Sequence, residues 1–338
     1  MNDHLPDPPD RASGRSGFRW GRYRKPIPLP DVQPRGRLGR FRLKEWCFLS
    51  VTTDDWFVAF AIVQLGYVGN AFCYVVDRRD STRAWEYEAI TPLGAGVRIA
   101  PSSVAGRSRF EWRGARADVR WTGAWEVQLD LPLERASERR RLHGGFRVEA
   151  EDALALLHPL RADRPAYTHK AAGMPASGLL AFGGDEVPLD GGLAALDWTR
   201  SVALRDTRWK WASVTARDGA GRRIGLNLSA EVYDDVDGSS RENALWIDGR
   251  VVPLPGVDFE LPLEPSAEPW RVRSRDEGVI DLVFCPTGAR AQRIDAGLVR
   301  TDFVQAFGTW AGRVRVPGER EIVLSRAFGV AEDHYARW

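Results

Sequence analysis

Hydrophobic residues in this chain occur in short runs that alternate with Gly, Pro and Asp-Gly breaks such as Asp218-Gly219 and Asp248-Gly249. The runs are rich in Val, Phe, Trp and Leu, a pattern typical of antiparallel strands joined by tight turns. Segments with a helical period are almost absent. Residues 149–157 are the best helix candidate, and they fit a strand as well. Many short strands without intervening helices predict an all-β protein built from antiparallel sandwiches or barrels. The predicted strands include 41–51, 56–65, 71–77, 96–101, 107–112, 118–131, 178–182, 207–216, 223–229, 244–247, 270–273, 279–285, 298–305 and 321–327.

One apolar stretch, residues 56–76, has the length of a membrane span. It is interrupted near its centre by Gln64, Gly66 and Asn70, whereas a spanning helix needs about 20 consecutive, predominantly apolar residues. We therefore predict two buried strands joined by a turn at residues 66–70, and no transmembrane segment.

The segment around Trp209 alternates strictly between two kinds of side chain. Successive residues of a strand point to opposite faces, so one face holds Arg205, Thr207, Trp209, Trp211 and Ser213. The opposite face, predicted to meet solvent, holds Asp206, Arg208, Lys210 and Ala212. Indole rings beside polar groups suit the wall of a cavity, because a buried polar group without a partner is costly. For Trp209 and Trp211, packing in a core is an equally good interpretation.

Length and local composition indicate two halves. A chain of 338 residues suits two domains better than one, and residues 160–195 are enriched in Pro, Gly, Ala and Asp. The first 40 residues hold seven of the 21 prolines and many arginines. We predict a flexible basic lead-in at 1–40, an N-terminal half at 41–185 and a C-terminal half at 186–338.

Composition excludes several classes of protein. With 43% hydrophobic and 28% charged residues, the chain is typical of globular rather than disordered proteins. Its net charge of +2 and its scattered basic residues argue against a nucleic-acid partner. There is no apolar signal segment, and Cys47, Cys73 and Cys285 lack CxxC spacing. We expect a cytoplasmic protein with three reduced, buried thiols.

Motifs for common enzyme chemistry are missing from the sequence. It contains no G-x-S-x-G, Walker or G-x-G-x-x-G string, and none of the five histidines has the spacing of a metal site. We therefore predict no cofactor and no metal. Lysine is rare, and the composition of the genome is the favoured explanation. The alternative is that Lys44, Lys170 and Lys210, which lie beside conspicuous motif residues, are kept for their compact, titratable ammonium groups.

Polar residues inside tryptophan-rich strings are the candidates for a functional site. The predicted catalytic residues are Asp197, Glu332 and His334, because ionisable groups in a pocket can move protons. A chain end usually frays into polar residues, but residues 328–338 end in Tyr, Ala, Arg and Trp. Glu332 and His334 therefore form either an acid/base pair or part of a structural latch. The predicted ligand-binding residues are Trp198, Arg200, Trp209, Trp211, Asn227, Asn243, Trp246 and Lys170.

Taken in order, the strings resemble a known family, the calycin-related domain of unknown function 2804. The resemblance spans residues 36–338, with Ser201 where the family pattern has a small residue, usually Gly. The matching strings are Glu45-Trp46-Cys47, Leu65-Gly66-Tyr67-Val68-Gly69, Thr168-His169-Lys170, Met174-Pro175-Ala176-Ser177-Gly178, Asp197-Trp198-Thr199-Arg200, Thr207-Arg208-Trp209-Lys210-Trp211-Ala212, Gly225-Leu226-Asn227-Leu228, Glu242-Asn243-Ala244-Leu245-Trp246-Ile247-Asp248-Gly249, Pro269-Trp270-Arg271-Val272-Arg273, Phe307-Gly308-Thr309-Trp310-Ala311-Gly312 and the tail at 329–338.

By this resemblance the protein is similar to hydroxyneurosporene-synthase and AttH-like proteins. The resemblance implies two lipocalin-like antiparallel β-barrel halves packed in tandem. Some of these relatives hydrate, isomerise or cyclise hydrophobic substrates without a cofactor. Because a fold does not fix a reaction, three hypotheses follow. The protein is a cofactor-free enzyme acting on a hydrophobic small molecule, a carrier or sensor of a lipophilic ligand, or a structural protein whose tryptophans are core.

Overall fold

The computed structural model describes residues 5–34, 36, 39–235, 238–276 and 278–338. Within this part of the chain the regular structure is β-strand apart from one short 3₁₀ helix, Gly39–Phe41, which confirms the predicted all-β class. The strands of the first sheet and of a small N-terminal hairpin are β1 (Ser13–Gly14), β2 (Gly17–Phe18), β3 (Gly21–Tyr23), β4 (Leu43–Thr52), β5 (Trp56–Gln64), β6 (Val68–Asp77), β7 (Ala84–Pro92), β8 (Val97–Arg98), β9 (Arg107–Trp112), β10 (Ala115–Trp121), β11 (Trp125–Arg135), β12 (Glu138–Val148), β13 (Leu154–Arg161), β14 (Arg164–Phe182), β15 (Asp185–Pro188) and β16 (Gly192–Val202). Those of the second sheet are β17 (Asp206–Arg217), β18 (Arg223–Ala230), β19 (Ala244–Ile247), β20 (Arg250–Pro253), β21 (Val257–Glu260), β22 (Trp270–Ser274), β23 (Ile280–Asp295), β24 (Arg300–Val314) and β25 (Ile322–Arg337).

Eight strands of the first sheet close into a barrel, in the order β14, β16, β4, β5, β6, β7, β11 and β12. The ring closes because β12 pairs with both β11 and β14. The long β14 makes this possible, since it pairs with β16 along residues 166–176 and with β12 along residues 176–182. Apolar side chains such as Val58, Phe60 and Trp85 are buried in the core of this sheet.

The second sheet is open and curled. Its nine antiparallel strands run in the order β20, β19, β18, β17, β25, β24, β23, β22 and β21. Strand β21 at one edge comes back towards β18, and the core between them contains Trp270, Phe284 and Trp310. The prediction of two antiparallel barrel-like halves is confirmed, one as a closed ring and the other as a half-barrel.

Aromatic side chains pack the two sheets face to face. Along β4, Cys47 and Leu49 point into the barrel, whereas Trp46 and Phe48 point towards the second sheet, as strand alternation requires. Burying each such large apolar side chain stabilises the fold by roughly 1.5–3 kcal/mol. We refer to the buried rings between the sheets as the inter-sheet cluster, which comprises Phe48, Phe57, Phe72, Tyr74, Trp211, Phe307 and Phe328.

At one point the two sheets meet at backbone distance. Gly225 of β18 lies against Ala172 of β14, and a methyl group on Gly225 would stand 2.3 Å from the Ala172 carbonyl group. The next residue of β14, Gly173, has a φ of 78° where that strand shifts register against β16. A side chain larger than hydrogen at position 225 therefore forces the sheets apart.

Two predicted hairpins are present. Residues 56–76 form the antiparallel pair β5 and β6, with Gly66 at a φ of 86° in the turn. Asp248 and Gly249, at φ values of 47° and 86°, make the two-residue turn between β19 and β20. Of the two interpretations of residues 149–157, the strand is correct, since β13 begins at Leu154. No helix in the described residues is long and apolar enough to span a membrane.

Two burial expectations are wrong for the same reason. Ala212, predicted to meet solvent, is fully buried because the other face of β17 is the core side of the curled sheet. Cys285, predicted to be buried, is exposed because it follows the inward-pointing Phe284 on β23. Cys47 and Cys73 are buried free thiols, as expected. Strand alternation decides each case once the inward face is known.

The change from the first sheet to the second falls between β16 and β17. Strand β16 follows the predicted break at 185/186 but pairs with β4 and β14 in the first sheet. Within the predicted lead-in 1–40, β3 pairs with β13, while residues 1–4, 35, 37 and 38 lie outside the described residues. The division into domains stays a prediction.

Candidate functional site

A cavity of about 520 Å³ lies between the two sheets. One wall is the outer face of the barrel at β4, β5 and β6, and the other is formed mainly by β17, β23, β24 and β25. Small-molecule sites typically occupy about 300–1,000 Å³, so a ligand of that class fits. Most of the lining is apolar or aromatic, and its charged or imidazole side chains are Lys44, Lys170, Asp197, Glu242, Arg290, Arg300, Glu332 and His334.

Trp209 and Trp211 both line this cavity and both contact the opposite sheet. The Trp209 ring stacks on Trp46 with centroids 6.1 Å apart and planes inclined by 15°. The Trp211 ring meets Phe48 edge-on at 5.4 Å. Thr207 lies on the same wall, so the polar-aromatic face derived from alternation is the face that lines the cavity. Trp211 also belongs to the inter-sheet cluster, so its ring both lines the cavity and packs in a core.

A buried ionic cluster stands at the Trp211 end of the cavity. Lys170 Nζ lies 2.6 Å from Asp197 Oδ2 and 3.3 Å from Glu242 Oε1, and 5.5 Å from the centre of the Trp211 ring. Burial opposes the ammonium form, but the two carboxylates together raise the pKa of Lys170 above its usual value. Burial also raises the pKa of Glu242, and the charge of Lys170 only partly offsets that effect. Glu242 was not among the catalytic or ligand-binding residues predicted from the sequence.

Glu332 and His334 lie at the Trp209 end, on the wall made by the second sheet. Glu332 accepts hydrogen bonds from Trp209 Nε1 and Gln305 Nε2, each at 2.7 Å. His334 Nε2 lies 2.8 Å from the Thr301 hydroxyl, and its Nδ1 is 3.6 Å from Glu332 Oε1. The His334 ring also packs on Trp209, with centroids 4.1 Å apart. The structure thus brings the predicted acid/base pair together in a fixed arrangement beside the cavity.

Lys44 is a second buried lysine of the cavity. The scarcity of lysine drew attention to it in the sequence, but it was not among the predicted site residues. Its Nζ donates to the carbonyl oxygens of Phe41 and Leu65 at 2.9 and 2.8 Å. It also lies over the rings of Tyr67 and Trp338, 4.3 and 5.0 Å from their centres. None of the carboxylates in the described residues is within ion-pair distance of it.

The charge of Lys44 should make stability depend on pH. Burial, assisted by the charge of Arg205, lowers the pKa of Lys44 from 10.5 to about 7. Between these values the unfolded state holds more protons than the folded state, so stability rises with pH. We expect the unfolding free energy of the wild type, relative to Lys44→Met, to rise by up to about 1.4 kcal/mol per pH unit in this window. Urea denaturation at a series of pH values measures it. If the unfolding free energies of the two proteins change with pH in the same way, Lys44 stays ionised in the folded protein and the prediction is wrong.

Two polar contacts connect the sheets around the cavity. Tyr74 of β6 donates a hydrogen bond to Gln305 of β24 at 2.8 Å. Arg290 of β23 forms an ion pair with Glu88 of β7, and Gln292 donates to the same carboxylate at 2.8 Å. The Tyr74 contact extends the network around Glu332, so the position of that carboxylate depends on both sheets.

Two predicted ligand-binding tryptophans do not line the cavity. The Trp198 ring lies in the core of the barrel sheet, 5.9 Å from the ring of Tyr167. Trp246 donates from Nε1 to the Asp152 carbonyl at 2.8 Å and packs against Ala172 where β18 and β19 approach β14. Strand alternation explains why Trp198 does not line the cavity. Its neighbour Asp197 points to the cavity side of β16, so Trp198 points to the barrel core.

The three polar residues predicted to orient a ligand have protein partners instead. Arg200 pairs with Glu45 at 2.5 Å. Asn227 accepts a hydrogen bond from Trp211 Nε1 at 2.8 Å, and so holds that ring in the cavity wall. Asn243 accepts from one backbone amide at 2.6 Å and donates to one backbone carbonyl at 2.9 Å. None of the three is part of the cavity lining formed by the described residues.

Three buried polar atoms of the cavity lining have no hydrogen-bond partner in the described part of the chain. They are the Tyr67 hydroxyl, Glu242 Oε1 and His334 Nδ1. A buried polar group without a partner costs about 1–3 kcal/mol.

Comparison with known proteins gives a family match and similar solved structures. A profile of the family described as domain of unknown function DUF2804 matches residues 13–338. Comparison with curated protein sequences gives no significant match. CghA crystallised with Sch210972 is 13% identical with a TM-score of 0.51, over 86% of this chain and 87% of that chain. A putative AttH from Nitrosomonas europaea is 14% identical (TM-score 0.48; 90% and 98% covered). Kievitone hydratase from Nectria haematococca is 11% identical (TM-score 0.48; 99% and 98% covered).

Proposed function

We propose a function for this chain, which belongs to the DUF2804 family, from the cavity between its sheets. The protein binds a largely apolar small molecule there and catalyses proton transfer on it. The observation that carries the proposal is the cavity itself, which combines stacked indole walls with buried ionisable groups at two ends. Concave apolar sites with a few convergent polar groups are the usual form of small-molecule sites.

The aromatic wall supplies affinity for an apolar skeleton. Trp209 is half-buried without a ligand, and its ring is held by Trp46 on one side and His334 on the other. A ligand that covers its exposed part gains apolar burial at about 25 cal/mol per Å². CghA, which has a similar fold, has been crystallised with the compound Sch210972, and this agrees with ligand binding.

The Glu332–His334 pair supplies acid/base chemistry. His334 Nδ1 is free of hydrogen bonds within the described residues and close to Glu332, so the carboxylate stabilises the imidazolium formed when Nδ1 takes a proton. Proton transfer to and from an apolar skeleton leads to isomerisation or cyclisation, and capture of water leads to hydration. These are the reactions that we propose for the site.

A second candidate function is favoured by the hydrogen bonds of Glu332. Both of its oxygens already accept hydrogen bonds, from Trp209 and Gln305. A carboxylate held in this way suits a fixed wall group as well as a proton carrier. The second candidate is therefore a carrier of the same lipophilic ligand without turnover.

Removing the Trp209 ring should weaken binding without unfolding the protein. We expect Trp209→Ala to raise the Kd for Prodan, an uncharged naphthyl ketone, by at least about tenfold, the equivalent of 1.4 kcal/mol. Energy transfer from tryptophan to the probe measures the affinity. The control is Trp112→Ala, which removes a half-buried indole from β9 away from the cavity and should leave the Kd unchanged. Equal affinity in all three proteins would place the probe outside the cavity.

Turnover separates the enzyme from the carrier. The purified protein is incubated with a lipophilic extract of its source cells, and the extract is compared by mass spectrometry before and after. An enzyme converts one compound into a product of the same mass or one water heavier, and Glu332→Gln slows this conversion. A carrier instead retains a compound through purification and returns it unchanged, and this outcome would exclude catalysis on that compound.

A further inference from the structure

The buried cluster at the Trp211 end contains two carboxyl groups and only one ammonium group. Asp197 comes from β16 and Lys170 from β14, and Glu242 lies just before β19. All three side chains are almost fully buried and all three line the cavity. The remaining lining side chains at this end include Trp211, Ser229 and Tyr233, which bring no further positive charge.

The two carboxyl groups are unequal in their partners. Asp197 has the shorter contact with Lys170, at 2.6 Å, and its second oxygen accepts a hydrogen bond from the Thr199 hydroxyl at 3.1 Å. Glu242 Oε1 has the longer contact with Lys170, at 3.3 Å. Burial raises the pKa of Glu242, and the charge of Lys170 and the hydrogen bonds from Ser229 and Lys170 offset this only in part. Glu242 is therefore the weaker of the two partners of the ammonium group.

Charge balance then decides where a proton resides. With all three groups ionised, the cluster would carry a net negative charge in an apolar site, and isolated buried charges are avoided by a change of protonation. A proton on Glu242 makes the cluster neutral and leaves the Lys170–Asp197 pair intact. Like-charged groups that share a site separate their titrations in this way, and one becomes an acid and the other stays ionised.

We propose that Glu242 carries this proton at neutral pH and donates it in a hydrogen bond to a carbonyl oxygen of the ligand. This rests on the proposed function, and it identifies the ligand class as an apolar skeleton that bears a ketone or aldehyde. The hydrogen bond holds the carbonyl group at the Trp211 end of the cavity.

Infrared spectroscopy of the free protein tests the proton on Glu242. In protein grown with isotope-labelled glutamate, we expect a protonated carboxylic acid band at neutral pH that shows the isotope shift and is lost in Glu242→Gln. The matched control is Glu45→Gln, since Glu45 is also buried but has the guanidinium of Arg200 to itself. That variant should keep the band. If the wild type lacks a glutamate band at neutral pH, the proposal is overturned whether or not Glu242→Gln folds.

The carbonyl stretch of bound Prodan tests the donation. We expect a shift to lower frequency in the wild type, which Glu242→Met abolishes because methionine has a similar size and donates no hydrogen bond. An identical frequency in the two proteins, or a glutamate band that persists in Glu242→Gln, would show that the cluster is structural only. Failure of Prodan to bind the wild type would contradict the proposed cavity function, and the band of the free protein would still decide the state of Glu242.

Discussion

Replacing Lys170 by Met is expected to lower the free energy of unfolding by about 3–5 kcal/mol, the usual cost of removing one partner from a buried ion pair. The change leaves Asp197, whose carboxylate is 2.6 Å from the ammonium, without a counter-charge in a buried site. Part of the loss is recovered if the carboxyl group takes up a proton, so the loss should shrink at acidic pH. Urea denaturation at neutral and acidic pH measures both effects.

Lys210→Met is the control for this prediction. It makes the same substitution at an ion pair with Glu231 whose side chains are 22% and 38% exposed. Because water screens such a pair, we expect a loss of only about 0–1 kcal/mol. Equal losses at the two lysines would mean that the buried cluster contributes no more than a surface pair.

Gly225→Ala is expected to destabilise the protein by about 3 kcal/mol, at the upper end of the cost of inserting a methyl group into a packed site. The methyl group would meet the backbone of Ala172, 2.3 Å away, and backbone yields less easily than a flexible side chain. The sheets must separate at this crossing, so we also expect weaker Prodan binding. Thermal and urea unfolding, with probe titration, measure the two effects.

Gly219→Ala provides the matched control. Gly219 lies in the turn between β17 and β18, where nothing stands within 4 Å of an added methyl group and φ is not positive. There the substitution restricts the unfolded chain and should stabilise by about 0.4–1 kcal/mol. A loss of the same size at both positions would show that the close approach at Gly225 is not the cause.

The strands and their local faces were predictable from the sequence. Alternation placed Thr207, Trp209 and Trp211 on one face, and the structure puts that face in the cavity lining. The Asp248-Gly249 turn and the 56–76 hairpin follow from local chemistry. These features depend on neighbouring residues, which is why a single sequence carries them.

Which residues belong to the site was less predictable, because it depends on which face of each strand packs against the other sheet. Asp197 and Trp198 belong to one conspicuous string, yet alternation sends Asp197 to the cavity and Trp198 to the core of the barrel. Glu242 and Asn243 divide in the same way, since Glu242 lines the cavity and Asn243 binds backbone. Adjacent motif residues in a strand therefore need not belong to the same site.

The two faces of strand β4 meet different surroundings. Cys47 and Leu49 fill the barrel, while Trp46 and Phe48 face the cavity. Substitutions on the second set change the shape offered to a ligand without touching the packing that closes the ring. Descendants of one ancestral fold can thus diverge in what they accept while the barrel stays intact, and the specificity of related chains should vary at alternate positions of this strand.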